Sequence, residues 1–463
     1  MQKLFDEVGS LDRRCYEKFA LSEDILMEHA AQGMADFIMK YYTKKCKIVV
    51  ICGSGNIGAD GIALARLLHG EYDVAIFYVK EPKSEMAKLQ QKRAQSVGVK
   101  TTIYLNDCDV LVDAVFGTGF NGKLDYEQKA VMQAVNDLNA YKIACDIPSG
   151  MRSDGKCDEN TFVADVSLTM GALKKSLYSD MAKEYVGKIK VLDLGVSRAV
   201  YEGETSWQLL DFEDMKLPHR TQKDCHKGSF GHLTLACGEK SGASILSASA
   251  ALRFGAGLVT LVGFKKIAVP YSIMCASSLP ENTTALALGM GLGNEFSEVE
   301  LGKILDNELP LIADADIFYM PLLKSIIERK DVVITPHPKE FVTLLKELGL
   351  AEITVATLQA DRFHYVELFC KAYQNVVLLL KGANVIIAKY EHYYVNPHGS
   401  ALLAKGGSGD VLSGLIGALL AQEYSPLEAT ISASLAHTQL AKNYTDSDFS
   451  LTPEDLIAGI GNL

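Results

Sequence analysis

Asn396-Pro397-His398-Gly399-Ser400-Ala401-Leu402-Leu403-Ala404-Lys405-Gly406-Gly407-Ser408-Gly409-Asp410-Val411-Leu412-Ser413-Gly414 is the stretch on which the reading of this chain turns. Three glycines crowd between positions 406 and 409, one acid follows, and the apolar run Val411 to Ala421 reads as a buried helix. Glycines just before a helix let consecutive backbone N–H groups face one concavity. With the positive end of the helix dipole behind it, that concavity suits a phosphate. Asp410, at its mouth, is a candidate base for a hydroxyl that attacks phosphorus. The same residues also read as a tight turn with Asp410 as a helix cap, so the rest of the chain has to decide.

Upstream, the second half repeats one pattern: an apolar strand that ends in a polar or glycine-rich turn. Ala285–Leu288 runs into Gly289-Met290-Gly291-Leu292-Gly293, and Pro310–Ala313 into Asp314-Ala315-Asp316. Val332–Ile334 ends in Thr335-Pro336-His337-Pro338-Lys339-Glu340, and Val376–Leu380 in Lys381-Gly382-Ala383-Asn384. His337 is stiffened by a proline on each side and is either a site residue or a structural histidine. Asp314 and Asp316 are either paired carboxylates or loop acids. Lys381 either approaches an anion or is a solvated charge. Gly238 to Ser244 carries no G-x-x-x-x-G-K-[ST], so it is no P-loop. It opens a small-residue helix through Ala243.

The first half has the same grammar. Lys47–Cys52 reads as a strand, Gly53 to Gly61 as a loop, and Ile62 to Leu68 as a helix. Gly53, Gly55 and Gly58 satisfy G-x-G-x-x-G, but the acid expected about 20 residues on is represented by Glu81 alone. Val110–Phe116 leads into Gly117-Thr118-Gly119-Phe120-Asn121-Gly122, and Lys142–Ile147 into Pro148-Ser149-Gly150. Strands alternating with helices predict parallel sheets, with ligands at the carboxyl ends of the strands. Asp60, Asp113, Asp146 and Ser149 fall at those ends, where their oxygens suit a hard cation or ribose hydroxyls or serve as loop caps. Residues 201 to 218 lack periodicity, which puts a boundary near 205–215 and gives domains 1–210 and 211–463.

Composition narrows the classes. The 463 residues are 48% hydrophobic and 22% charged, as in an ordinary globular protein of two or three domains. A net charge of −11 argues against nucleic-acid binding. Ten scattered cysteines without metal-like spacing suggest reduced thiols and a cytoplasmic setting. No apolar run reaches membrane-spanning length, and a homo-oligomer is expected.

Gly55-Asn56-Ile57-Gly58-Ala59-Asp60-Gly61, Asp113–Gly119 and Asp146-Ile147-Pro148-Ser149-Gly150 together resemble the three motifs of the NAD(P)H-hydrate epimerase family, a Rossmann-like three-layer α/β fold. The resemblance implies substrate contacts at Asn56, Ile57, Gly58, Ala59, Asp60, Gly117, Thr118, Gly119, Phe120, Asn121, Gly122, Lys123 and Asp146. It makes Asp146 the catalytic candidate, with potassium on Asp113 and Ser149. The family pattern is G-N-N-G-G-D-G. Ile57 replaces its second Asn and removes an ion ligand, while the methyl of Ala59 narrows the loop.

His226-Lys227-Gly228, the Gly289–Gly293 run, Asp314-Ala315-Asp316, Thr335–Glu340, Leu380-Lys381-Gly382-Ala383 and Gly406–Asp410, in this order, resemble the ADP- or ATP-dependent NAD(P)H-hydrate dehydratases of the ribokinase-like fold. The resemblance implies substrate contacts at Ala243, Gly293, His337 and Asp410, with Asp410 catalytic. It implies donor-nucleotide contacts at Lys381, Gly382, Ala383, Asn384, Val385 and Gly409. Mg²⁺ is expected with the donor, which should be ADP, and the substrates are the hydrated forms of NADH and NADPH. A small-molecule kinase fused to a non-catalytic dinucleotide-binding domain is the alternative.

Overall fold

The computed structural model describes residues 1–463 apart from Asn106, Gln222, Phe264, Lys265 and Lys266. The chain divides into two units, Gln2–Trp207 and Gln208–Leu463, the second also holding Met1.

In the first unit, helix α1 (Glu23–Tyr41) starts at Ser22, whose hydroxyl accepts the Ile25 N–H, with Glu23 and Asp24 against the helix dipole. It is followed by β1 (Lys47–Cys52), α2 (Asn56–Leu68), β2 (Asp73–Tyr78), α3 (Glu85–Val97), β3 (Lys100–Thr102) and β4 (Val110–Ala114). Then come α4 (Tyr126–Asp137), β5 (Tyr141–Cys145), β6 (Val166–Met170) and β7 (Lys188–Leu192). The strands lie in the order β3-β2-β1-β4-β5-β6-β7, every pair parallel. Alternate residues of β1 face opposite layers. Ile48, Val50 and Cys52 join the α1 and α2 core through Met34, Ile38 and Ile62, whereas Val49 and Ile51 join Met132 and Val135 of α4. A parallel sheet buried on both faces is the expected result. The order reverses between β1 and β4, so the loops that leave them open a crevice there.

One boundary differs from the sequence reading. Helix α2 begins at Asn56, so most of the supposed glycine loop is its first two turns. A Cβ on Gly58 would stand 2.0 Å from the Gly53 carbonyl oxygen. Gly58 therefore serves close packing of helix on loop, and this contact lets the helix start early.

The second unit contains β8 (His232–Ala236), α5 (Ser241–Arg253), β9 (Leu258–Val262), β10 (Met274–Ala276), β11 (Ala285–Leu288), β12 (Leu311–Ala313) and β13 (Val332–Ile334). These are followed by α6 (Pro338–Glu347), β14 (Val376–Leu380), β15 (Val385–Lys389), β16 (His392–Asn396), α7 (Ser408–Ala421) and α8 (Pro426–Asn443). The order β10-β9-β8-β11-β12-β13-β14 is parallel, and β15 and β16 extend it antiparallel. Both units are thus α/β, as the alternation of strands and helices predicts. Helix α7 is buried on nearly every side, because its Gly, Ala and Ser positions let α5 approach. A Cβ on Gly414 would meet the Ser247 carbonyl at 2.2 Å. Among the described residues, no helix is long and apolar enough to cross a membrane.

Candidate active sites

In the second unit, the opening stretch of the sequence reading forms the head of α7. Gly407, not Asp410, is the N-cap, at φ +91°. A side chain would be strained there, and its Cβ would stand 2.6 Å from Pro453. Asp410 therefore sits inside the first turn, which removes the capping alternative. The N–H groups of Gly406, Gly407, Gly409 and Asp410 find no acceptor among the described residues. They form a nest of donors at the helix N-terminus. Ser247 pins the turn by donating to the Asp410 carbonyl at 2.7 Å. Ser408 is tied at 3.1 Å to His437, whose imidazole burial pushes down to about 4.

Lys381, at the end of β14, reaches this nest. A Cβ on Gly409 would lie 3.3 Å from its ammonium. Lys381 donates to both oxygens of Asp314, at 2.8 and 3.0 Å, and Ser413 of α7 donates to the same carboxylate at 2.7 Å. Asp316 instead accepts the Gly293 N–H at 2.9 Å. The two acids thus do different things and are not a carboxylate pair. The Asp410 carboxyl accepts no hydrogen bond from the described residues. Burial, with Asp314 nearby and Lys381 opposing, raises it to about 6.

Of the other expected residues, Ala243 lies against Gly291, where a built Cβ would be 3.1 Å from its own. His337 caps α6, with its Nδ1 accepting the Glu340 N–H at 3.2 Å and Glu340 returning the bond to its N–H at 2.8 Å. His337 is therefore a helix cap, and it lies near enough to Lys381 for that charge to help burial lower its pKa. The turn from Lys381 through Gly382, Ala383 and Asn384 to Val385 is held by Arg362, which donates to the carbonyls of Leu380, Lys381 and Asn384. Arg362, His437 and the Asp314–Lys381 pairing escaped the sequence reading. Arg362 and His437 lie inside helices, where nothing marks them, although an arginine buried in a small core is a signal worth following.

In the first unit, a cavity of about 150 Å³ opens at the crevice beside β1 and β4, lined among others by Asp12, Asn56, Ile57, Asp60, Thr118, Asp146 and Lys174. Asp146 leaves β5 at φ +74°, a conformation rarely adopted outside glycine and common at functional sites. Asp60 is buried, and desolvation with Asp146, Asp12 and Glu23 nearby holds its carboxyl well above the usual range. Ile57 abuts Gly117, where a Cβ would lie 2.5 Å from its side chain.

Several expected contacts are not at this cavity. The Ala59 methyl is buried with Met27 and Ala87, so it narrows no loop. Gly58 packs on Gly53. Gly119, Phe120, Asn121, Gly122 and Lys123 do not line the cavity: Phe120 stacks on Phe116 at 4.6 Å, and Asn121, Gly122 and Lys123 are exposed. Asp113 and Ser149 do meet. Ser149 donates to Asp113 through its hydroxyl at 2.6 Å and its N–H at 2.7 Å. Asp12 and Lys174 were missed, since neither belongs to a glycine-rich turn.

Two α/β units, each with acids and glycines gathered at parallel-strand ends, define a two-site enzyme that handles nucleotides. The family described as NAD(P)H-hydrate dehydratase matches residues 233–461, and the one described as YjeF-related protein N-terminus matches 23–176. A bifunctional NAD(P)H-hydrate repair enzyme of Helicobacter pylori is 42% identical over 474 residues, covering all of both chains. That of Escherichia coli is 29% identical, covering 93% of this chain and 87% of its own. A solved ADP/ATP-dependent NAD(P)H-hydrate dehydratase from Bacillus subtilis, co-crystallised with ATP and Mg²⁺, is 27% identical. It covers 55% of this chain and 96% of that one, with a TM-score of 0.47. The chain belongs to the family of bifunctional NAD(P)H-hydrate repair enzymes.

Proposed function

We propose that this chain restores NADH and NADPH whose nicotinamide ring has added water at C6. The first unit interconverts the two C6 epimers. The second dehydrates the S epimer with ADP as phosphate donor, leaving AMP and phosphate. The observation that carries the reading is Asp410, a carboxyl that accepts no hydrogen bond from the described residues, at the edge of a nest of N–H groups that find no acceptor among them, with Lys381 beside Gly409. Hydroxide is a poor leaving group. Asp410 takes the proton of the C6 hydroxyl, the oxygen attacks the terminal phosphorus of the donor, and AMP departs. The ring nitrogen lone pair then expels phosphate to give an N1=C6 iminium, and loss of a proton from C5 restores the C5=C6 double bond of the dihydropyridine. The N–H nest, the helix dipole and Lys381 hold the charge of the transferring phosphoryl group. His337, Ala243 and Gly293 contact the substrate, and the Lys381–Val385 turn holds the donor.

Mg²⁺ belongs to the reading as a companion of the donor. Among the described residues no group of three acid, histidine or cysteine side chains is placed to hold a metal ion. A phosphate-borne Mg²⁺ needs one or two carboxylates, and Asp316 would supply one. When bound, the ion adds positive charge to the donor phosphates. Potassium fits less well. Asp113 and Ser149 bond to each other, Ser149 also accepts the Phe116 N–H at 2.8 Å, and Ile57 offers no oxygen. Replacing potassium with sodium is expected to leave epimerisation within about twofold, and a tenfold loss would restore the ion to the site. All ten cysteines are free, which supports a reducing, cytoplasmic setting.

The deciding experiment supplies racemic NADH hydrate with ADP or ATP and follows recovery of the dihydronicotinamide absorbance. A phosphorylated product that never eliminates would mark a kinase instead. The raised Asp410 carboxyl sets the pH dependence. A base must be deprotonated, so kcat/KM for dehydration is expected to fall as pH drops below about 6. The slope approaches about tenfold per pH unit for one proton. A flat profile down to about pH 5 would remove Asp410 as the base.

A further inference from the structure

Three donors converge on one oxygen of Asp146. Its Oδ1 accepts the Lys174 ammonium, the Met170 N–H at 3.1 Å and the Thr169 hydroxyl at 3.3 Å. Lys174 also donates to Thr169 Oγ1 at 2.8 Å and to the Met170 carbonyl at 3.2 Å, so its direction is fixed. The other oxygen, Oδ2, accepts nothing from the described residues. It faces Gly117, where a built Cβ would stand 3.6 Å away. Lys174 is 1% exposed, yet it lines the cavity together with Asp146.

A buried ion pair is a poor way to gain stability, since apolar residues of similar size do as well or better. Its position at the cavity, on a residue in a left-handed backbone conformation, points to function. Among the described residues, neither of the neighbouring acids, Asp60 and Asp12, has an ammonium partner. Burial holds both carboxyls above the ordinary range.

We propose that Lys174 is the positioning residue of the epimerisation site, locking Oδ1 of Asp146 and leaving Oδ2 as the atom that moves the substrate's proton. The inference rests on the reading of the first unit as an epimerase. Oδ2 takes the proton of the C6 hydroxyl, the oxygen forms C=O, and the electron pair of the N1–C6 bond returns to N1. The same oxygen hands the proton to N1. Closure on the opposite face of the aldehyde reverses both transfers and inverts C6, with no net gain or loss of atoms, protons or electrons.

The test uses the full chain with Lys174→Met, Lys174→Gln and Lys174→Arg, and the R hydrate without donor. Dehydration of the S hydrate in the presence of ADP serves as the folding control. Epimerisation by the Met and Gln variants is expected to fall about 10²-fold in kcat with little change in KM. The acid limb of the pH profile moves up by about one unit or more, because the charge that favours the carboxylate is gone. Lys174→Arg, which keeps that charge, keeps the limb in place. If the Met variant fails to fold, the Gln and Arg variants decide. A lower kcat with an unmoved limb in Lys174→Gln means a structural lysine and overturns the inference. So does an unchanged rate, with the epimerase reading left standing. A wild-type chain that epimerises nothing removes the reading and the inference together.

Discussion

Asp410→Asn is expected to lower dehydration by about 10²-fold or more while leaving the fold intact, the range that general-base removal commands. The carboxyl accepts no hydrogen bond from the described residues, so the amide breaks none. The bond that fixes this turn runs from Ser247 to the Asp410 carbonyl, which is backbone and survives. The lost charge was held in a desolvated place close to Asp314, so its removal relieves repulsion. The thermal midpoint should be unchanged or higher, the usual direction when a strained catalytic group is neutralised. Turnover of the S hydrate with ADP and a melting curve on the same preparation check both halves. Near-normal turnover would dismiss Asp410 as the base, and a collapsed melting point would show it to be structural.

Lys381→Met should be damaging twice over. The substitution strands Asp314, which is 3% exposed in its side chain, without its ammonium. Breaking one partner from a buried pair costs about 3–5 kcal/mol. The Ser413 hydroxyl stays on Asp314 and keeps the loss near the lower end. The second effect is chemical. The nest keeps its N–H groups and loses the charge beside Gly409, and removal of one such stabiliser lowers kcat by about 10²–10³-fold. The double variant Lys381→Met/Asp314→Asn separates the two, because it should recover most of the stability and none of the turnover. If the double variant regains turnover, Lys381 serves Asp314 and the charge does nothing for the phosphoryl group.

The sites were legible to very different degrees. Gly406–Asp410 was readable because a left-handed N-cap excludes side chains, and glycine at position 407 records that locally. The turns after β11, β12, β13 and β14 were readable because strands of a parallel sheet end on one edge, so their terminal residues share a site. The Gly117–Lys123 loop was legible as a loop only: Thr118 lines the cavity, while Phe120 turns to the core and Asn121 to Lys123 turn to water. Loop membership says nothing about which way each side chain points.

What the sequence determines by itself is local: where strands alternate with helices, where backbone must bend or approach closely, and which acids stand at strand ends. These follow from periodicity and backbone sterics, which act over a few residues. Which partner each acid has was decided by tertiary structure alone. Asp314 meets Lys381 across 67 positions because β13 lies between β12 and β14 in the sheet, and Asp146 meets Lys174 across 28. Strand order and register set those pairings. No spacing along the chain encodes them, so the raised carboxyl of Asp410 and the Oδ2 of Asp146, which accepts nothing from the described residues, became visible only once the strands were side by side.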